Sequence, residues 1–512
     1  MVLDLEKNAP VVETSSSSDS DKEIPPPIPV PHKLRVLNDK IEGLAGLEAR
    51  GIVRVLPEER HGISWLEYAQ VCVLWYSANI TANNLVTGML GPLLFDLGFV
   101  DSMLMATFGC LIGSAATAYM SIWGPQSGNR TMIVARYFMG YWPAKLTTVL
   151  NIIIMVGYGT LSTIIAGQIL SAVSGGSMTI IVGIVVVALI GWVVAVFGMK
   201  VFHTYERYAA IPQTIVLLIL CGVGAKYFNT NSPSVIPEGA TSASITANRL
   251  SFFSLSLSVP LSWAGAASDF YVYYPESTSK RLVFLMTFIG LWVSFTFVNA
   301  IGVGLGSGTF INEDWNTAYG TSSGALILAG YSSLGGFGKF CAVVVALGVV
   351  SNNVPGCYAA ALDCQVLGRF GKMIPRWVWV CFIILVEFVC SVAGRDHLFD
   401  IFTNFLALMG YWLAIFITIV LEEQLIFRRR FGFDWTKWED QKYLPIGAAA
   451  LTSFLIGWAG AIIGMFQAWY VGPVAVRVGD GYGADIGIWL GIAFALVTFA
   501  PLRWLELKKI GR

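Results

Sequence analysis

Charge is what this sequence has least of. Asp, Glu, Lys and Arg make up 12% of its 512 residues while 55% are hydrophobic; a soluble domain carries about 25% charge. Mean hydropathy is +0.67, which excludes an ordinary soluble protein. Lys plus Arg and Asp plus Glu each number 32, so net charge is zero and no nucleic-acid partner is implied. The four histidines are scattered, no HExxH segment occurs and no two carboxylates share the middle of an apolar run, so an intramembrane enzyme is disfavoured and no metal or cofactor is called for. The eight cysteines (Cys72, Cys110, Cys221, Cys341, Cys357, Cys364, Cys381 and Cys390) form no metal-type pair and read as buried free thiols. No signal peptide opens the chain. Residues 1–62 are acidic and Ser-rich from Thr14 to Asp21, then Pro-rich from Ile24 to Pro31, which predicts a disordered cytoplasmic tail. Its last part, Lys33 to Arg60, fits either a short amphipathic helix on the inner face or a solvated linker.

What fills the rest is apolar runs of about 20 residues, the length that crosses a bilayer. Twelve are present: 66–95, 101–123, 144–173, 177–199, 208–226, 250–270, 281–311, 338–363, 377–393, 401–421, 443–464 and 485–504, here spans 1 to 12. The expectation is an all-α polytopic membrane protein. With the N terminus inside, 27 of the 32 Lys and Arg residues fall on the inner side; Lys226, Arg249, Lys339, Arg395 and Arg477 stay outside. That bias predicts two cytoplasmic termini.

Span 6 is irregular. Ser254, Ser256 and Ser258 alternate along it, then come Pro260, Ser262, Trp263 and Gly265. Proline donates no N–H and disfavours helix at the residue before it. Broken backbone in a membrane is tolerated only where it faces protein or a wet cavity. Span 1 is irregular too, reading Trp75-Tyr76-Ser77-Ala78-Asn79-Ile80-Thr81-Ala82-Asn83-Asn84. Two broken spans five apart predict a 5+5 inverted repeat with both breaks at a binding site, and spans 11 and 12 peripheral. The division follows as tail 1–62, transporter core 63–427 and peripheral part 428–512. Polar clusters on spans 3 (Tyr158, Thr160, Ser162, Thr163) and 8 (Ser351, Asn352, Asn353, Pro355, Gly356) fall on equivalent third positions of the two repeats.

This chemistry suits a neutral, planar, heteroaromatic ligand. Trp263 and Tyr158 offer stacking faces, and Asn79, Asn83, Asn352, Asn353, Ser77 and Ser162 offer donors and acceptors for ring edges. No charge lies at the centre of these segments, which argues against amino acids, carboxylates and phosphates. For proton coupling, Glu206 where span 5 begins and Asp269 at the end of span 6 are the expected carriers; Glu387 in span 9 is the deepest carboxyl and calls for a polar neighbour.

Several motifs together resemble the fungal purine–cytosine permeases of the nucleobase–cation symporter 1 family: Arg50-Gly51-Ile52-x-Arg54-Val55-x-Pro57-Glu58-Glu59-Arg60, Trp75 to Asn79, Leu90-Gly91-Pro92, Gly124-Pro125-x-x-Gly128, Arg136-Tyr137, Ala267-Ser268-Asp269-Phe270 and Tyr274-Pro275. The resemblance implies a twelve-span transporter fold and proton-coupled nucleobase import across the plasma membrane. It also implies substrate contacts at Ser77, Trp263 and Asn352, with Pro355 shaping span 8. Members that carry cytosine and purines tend to have Trp where Tyr158 stands and Asn where Ser162 and Gly356 stand, so another heterocycle, such as a B6 vitamer, is the alternative substrate. A nutrient sensor signalling through the tail is the alternative class.

Overall fold

The computed structural model describes residues 51–512 except 61, 63, 64, 198, 430 and 431, and describes no side chain at 66, 67, 197 or 199–209. The expected tail over residues 1–50 and the Glu206 side chain lie outside the described residues.

Each of the twelve apolar runs falls on helix. Eight helices are long and apolar enough to cross a membrane by length and composition, carrying spans 2, 3, 5, 7, 8, 9, 10 and 12. Spans 4 (Ile180–Val196) and 11 (Ala448–Gly464) are shorter apolar helices. Spans 1 and 6 are the interrupted ones. Span 1 runs as helix over Trp65–Asn79, passes through Ile80 and an extended Thr81, and resumes over Ala82–Leu94. Span 6 is helix over Ala243–Leu261 and then loosens into 3-10 turns at Ser262–Gly265 and Ala267–Tyr271.

Pro260 does not break span 6 where the sequence suggested. It sits in the last helical turn, and the break comes after Leu261. The reason is repair from span 2 (Phe99–Ser121). Proline leaves the carbonyl four residues earlier without its helical donor. The Cys110 thiol points at that carbonyl, Ser256 O, at 3.5 Å, and Thr117 Oγ1 donates to Pro260 O at 2.7 Å. Two serines of span 6 bond back to its own helix, Ser254 Oγ donating to Leu250 O at 2.9 Å and Ser258 Oγ to Ser254 O at 2.8 Å, while the Ser256 hydroxyl is buried without a partner among the described residues.

Small residues set the packing. A membrane bundle gains little from hydrophobic contrast between helix and lipid, so close backbone approach matters more. A Cβ on Gly88 of span 1 would run into the Asn299 carbonyl of span 7 (Lys280–Gly308), and one on Gly302 would strike the Leu85 carbonyl. Span 2 meets span 6 the same way, Gly113 lying against Leu257 O. Span 3 (Pro143–Val173) packs along span 8 (Gly335–Val366), and spans 11 and 12 pack on each other and on span 10. Arg503 of span 12 reaches Glu423 at 2.9 Å and Glu506 at 2.7 Å, all three buried, which pins span 12 to the end of span 10.

Elements beyond the twelve runs also appear. Short helices Trp123–Ser127 and Thr131–Met139 join spans 2 and 3, and Glu313–Thr321 and Ser323–Gly330 join spans 7 and 8. Residues 466–467 and 470–471 pair as a two-stranded hairpin before span 12. The segment before span 1 is neither amphipathic helix nor solvated linker over its described residues 51–60. It makes one 3-10 turn (Pro57–Glu59) and docks: Val55 N donates to Gly128 O at 2.9 Å, Arg54 Nε to Ser127 O at 2.8 Å and Arg60 Nη1 to Pro125 O at 2.6 Å. Gly128, at φ +66°, has no room for a side chain beside Arg60. Two of the sequence motifs therefore form one scaffold. The eight cysteines are free, as expected, but only Cys110, Cys341, Cys357 and Cys364 are buried; Cys72, Cys221 and Cys381 are half-buried and Cys390 is exposed.

Replacing Gly302 by Val is expected to cost on the order of 1–3 kcal/mol through overpacking and to deplete the protein from the cell surface. Gly320→Ala, where the added methyl meets open space, leaves surface abundance unchanged. Fluorescence of a tagged transporter at the cell periphery measures both.

Candidate substrate site

Trp263 stands where span 6 turns from helix to 3-10, and it is buried at 6% exposure. Its indole N–H donates to Asn79 Oδ1 at 2.8 Å, tying the break of span 6 to the break of span 1. Trp75 packs edge-on against it, ring centroids 5.6 Å apart at 82°, and also against Phe270 at 4.9 Å. Trp75 is fixed in turn, its Nε1 donating to Tyr271 Oη at 2.9 Å. The Trp263 ring is thus held by a hydrogen bond and by aromatic edges, each of which adds roughly 0.5–1.5 kcal/mol.

The asparagines explain how span 1 can stop in mid-membrane. The end of a helix leaves carbonyls without partners, and lipid offers none. Three amides supply them. Asn79 Nδ2 donates to Trp75 O at 2.7 Å, Asn84 Nδ2 to Asn79 O at 2.6 Å, and Asn352 Nδ2, reaching from span 8, to Ala78 O at 2.7 Å. Sequence reasoning gave Asn79 and Asn352 to the ligand, yet both ends of the Asn79 amide are engaged within the protein. Asn353 differs. Its Nδ2 lies 3.4 Å from Gly159 O and 3.3 Å from Thr163 Oγ1 on span 3, and its Oδ1 is buried without a partner among the described residues.

These groups enclose a cleft with ≈ 400 Å³ of empty space. Of the residues picked from sequence, Asn79, Asn83, Tyr158, Trp263, Asn352, Asn353 and Gly356 line it. Ser77, Ser162 and Pro355 do not. Ser77 and Ser162 are buried beside it with unpartnered hydroxyls, and Pro355 lies inside the continuous helix of span 8. Asn84 and Ser262 complete the polar wall; Ile154, Met155, Gly159, Val259 and Phe295 complete the apolar one. Phe295 comes from span 7, whose sequence is plain and carried no signal. Tyr158 is set edge-on to Phe405 of span 10, centroids 5.5 Å apart, with its hydroxyl 3.5 Å from Val259 O. At Gly356 a Cβ would meet only Met155 Sδ, at 3.7 Å, so the cleft has free room there.

Asp269 lies outside this cleft. Its Oδ1 accepts from Thr131 N at 2.7 Å and Thr131 Oγ1 at 2.9 Å, capping the helix that starts at Thr131, and Arg130 Nη1 donates to its backbone carbonyl at 2.9 Å. That is a helix-end anchoring role. Asp363 closes span 8 with Asn151 Nδ2 on its Oδ2 at 2.7 Å. Glu387 has the polar neighbour that its depth called for, the Cys357 thiol at 3.3 Å.

A cleft built from two interrupted spans and two polar ones, without charge, has relatives. The family described as "Permease for cytosine/purines, uracil, thiamine, allantoin" matches residues 55–484. The chain is 34% identical to the vitamin B6 transporter TPN1 of Saccharomyces cerevisiae, over 93% of this chain and 90% of that one. It is 35% identical to the purine-cytosine permease fcyB of Emericella nidulans, over 99% of both. Among solved structures, Mhp1, a nucleobase-cation-symport-1 family transporter in a closed conformation with bromovinylhydantoin bound, superposes with a TM-score of 0.67 at 14% identity, covering 91% of this chain and 96% of that one. That likeness concerns the fold. The interrupted spans, the cleft between them and the match across most of the chain lead to one conclusion: this is a membrane transporter, not an enzyme, and it belongs to the purine–cytosine permease family.

Proposed function

We propose that the chain imports a neutral, planar heteroaromatic molecule across the plasma membrane together with a proton, by alternating access, with both termini cytoplasmic. The first substrate class is the nucleobases: cytosine, adenine, guanine and hypoxanthine. The carrying observation is the Trp263 ring, locked to Asn79 at the junction of both interrupted spans and facing a cleft where Asn353 Oδ1 is one of the acceptors left without a partner among the described residues. A ring stacked on an indole and donating an N–H to an amide oxygen needs no charge from the protein, and the cleft lining offers none. Broken helices near the middle of the bilayer are where such transporters hold their substrates, and rocking one bundle against the other exposes the site to each side in turn. The orientation rests on the Lys and Arg bias, the coupling ion on the absence of a convincing Ser/Thr pair on span 8 after Ser351 for sodium. Glu206 and Asp269 are the carriers proposed from sequence.

A second substrate, a B6 vitamer, is favoured by a specific observation. Gly356 leaves room where cytosine and purine carriers tend to place an amide, and Tyr158 presents a smaller ring than Trp. A pyridine bearing out-of-plane hydroxymethyl groups makes use of that space better than a flat base does. The 34% identity to a B6 transporter points the same way.

Uptake of radiolabelled nucleobases and pyridoxine, in yeast lacking its own permeases for both, tests the proposal. Concentrative uptake abolished by a protonophore is expected for one of the two classes. Concentrative uptake also excludes a purely sensing role; equilibration without concentration, from a protein visible at the surface, contradicts the coupling. Trp263→Ala is expected to abolish that uptake with surface abundance preserved, and normal uptake by this variant would remove Trp263 from the site. If the transported substrate is pyridoxine, Gly356→Asn is expected to weaken its uptake and raise competition by cytosine; an unchanged competition profile would show that position 356 does not set selectivity.

A further inference from the structure

The deepest carboxyl in the described bundle is not accounted for by the site or its scaffold. Glu387 sits in the middle of span 9 (Arg376–Gly394), buried at 5% exposure, and no described Lys, Arg or His pairs with it. Its side-chain hydrogen-bond partner among the described residues is the Cys357 thiol of span 8, at 3.3 Å from Oε1 and 3.6 Å from Oε2. An ionised carboxylate held in this way, inside a membrane, costs several kcal/mol. The packing also commits space to it: a Cβ on Gly159 of span 3 would overlap the carboxyl group, so the carboxyl lies directly behind a residue of the substrate cleft.

A second cavity runs on the far side. It holds ≈ 310 Å³ of empty space and is lined by Glu387, Cys357, Thr163 and Asn353 together with Val187, Ala188 and Gly191 of span 4. Asn353 therefore borders both cavities, substrate on one face and Glu387 on the other. The groups that face the carboxyl are few. From span 8 it is Cys357, from span 3 Gly159 and Thr163, and span 4 (Ile180–Phe197) contains no titratable residue at all.

We propose that Glu387 is the proton-binding site of the transport cycle and that Asn353 links its occupancy to the substrate. The inference rests on the proton-coupled reading above and changes the residue that carries the proton. In the outward-facing state the carboxylate takes a proton from water on the outside, becoming a neutral carboxyl that the dry bundle tolerates. Span 8 can then close against spans 3 and 9 with substrate seated on Asn353. In the inward-facing state water enters the second cavity, and the carboxyl gives its proton to that water, leaving the carboxylate hydrated. The protonated carrier closes only with substrate on Asn353, which prevents proton leak, and the empty carrier returns with its carboxylate hydrated through the second cavity.

The test uses the full-length transporter in yeast, with whichever of cytosine or pyridoxine the wild type accumulates. Glu387→Gln, a permanently neutral isostere, is expected to keep surface abundance and trans-stimulated exchange of label. Its accumulation ratio should fall to unity, with loss of dependence on external pH. Glu387→Asp should restore part of the pH-dependent accumulation, which a merely structural role would not predict. Should the Gln variant fail to reach the surface, wild-type membranes treated with dicyclohexylcarbodiimide provide the second measurement: a protonated carboxyl in an apolar site is modified, so mass spectrometry is expected to find Glu387 labelled at acid pH and protected at alkaline pH. Wild-type accumulation and pH dependence in the Gln variant, or no pH-dependent labelling of Glu387, overturns the inference while leaving proton coupling intact. A wild type insensitive to protonophore overturns the coupled reading itself.

Discussion

Everything in this protein turns on how a helix can stop inside a membrane. Span 1 ends at Asn79 and span 6 uncoils after Leu261, each exposing peptide groups that lipid cannot satisfy. The remedy is local and specific. Amides of Asn79, Asn84 and Asn352 take the loose carbonyls of span 1, and a thiol and a hydroxyl of span 2 take those around Pro260. Once that backbone is satisfied, the gap between the half-helices becomes a cleft rather than a defect, and Trp263 can be hung across it from Asn79.

The same constraint explains the division of labour among polar residues. Asn352 serves span 1 from span 8, so a change in the relative position of the two must break a charge-free but buried hydrogen bond. A buried polar group left without its partner is costly, so this bond resists movement of span 8 away from span 1. Asn353, one residue on, keeps its oxygen buried without a partner among the described residues. The residues that carried the family resemblance divide along a similar line. Trp75 and Asn79 support the cleft directly, whereas Arg54, Arg60, Pro125 and Gly128 form a scaffold away from it that fixes the entry to span 1.

Much of this was legible in the sequence because a bilayer simplifies the code. Apolar runs marked the helices, and polar residues in mid-run marked the two interruptions and their partners on spans 3 and 8. What stayed hidden was geometry. Pro260 announced a break but sits just before it, since on another span a cysteine points at the carbonyl that its missing N–H leaves free and a threonine donates to its own carbonyl. Ser77 and Ser162 have the right chemistry and turn out to lie off the cleft, because a helix shows only part of its circumference to any one cavity. Phe295 gave no sign, being an apolar residue in an apolar span. Asp269 read as a proton carrier from its position and is a cap for the helix starting at Thr131, a contact across 138 residues that no local pattern announces.

The most direct measurement of the central claim is an experimental structure of the protein with its transported substrate bound. The account predicts the ring against Trp263, with an N–H or O–H of the ligand on Asn353 Oδ1 and its substituents toward Gly356. A substrate found instead among Tyr411, Gln467 and Asp485, in the cavity between spans 6 and 10 and the loop before span 12, would contradict it and place the transport site outside the interrupted spans.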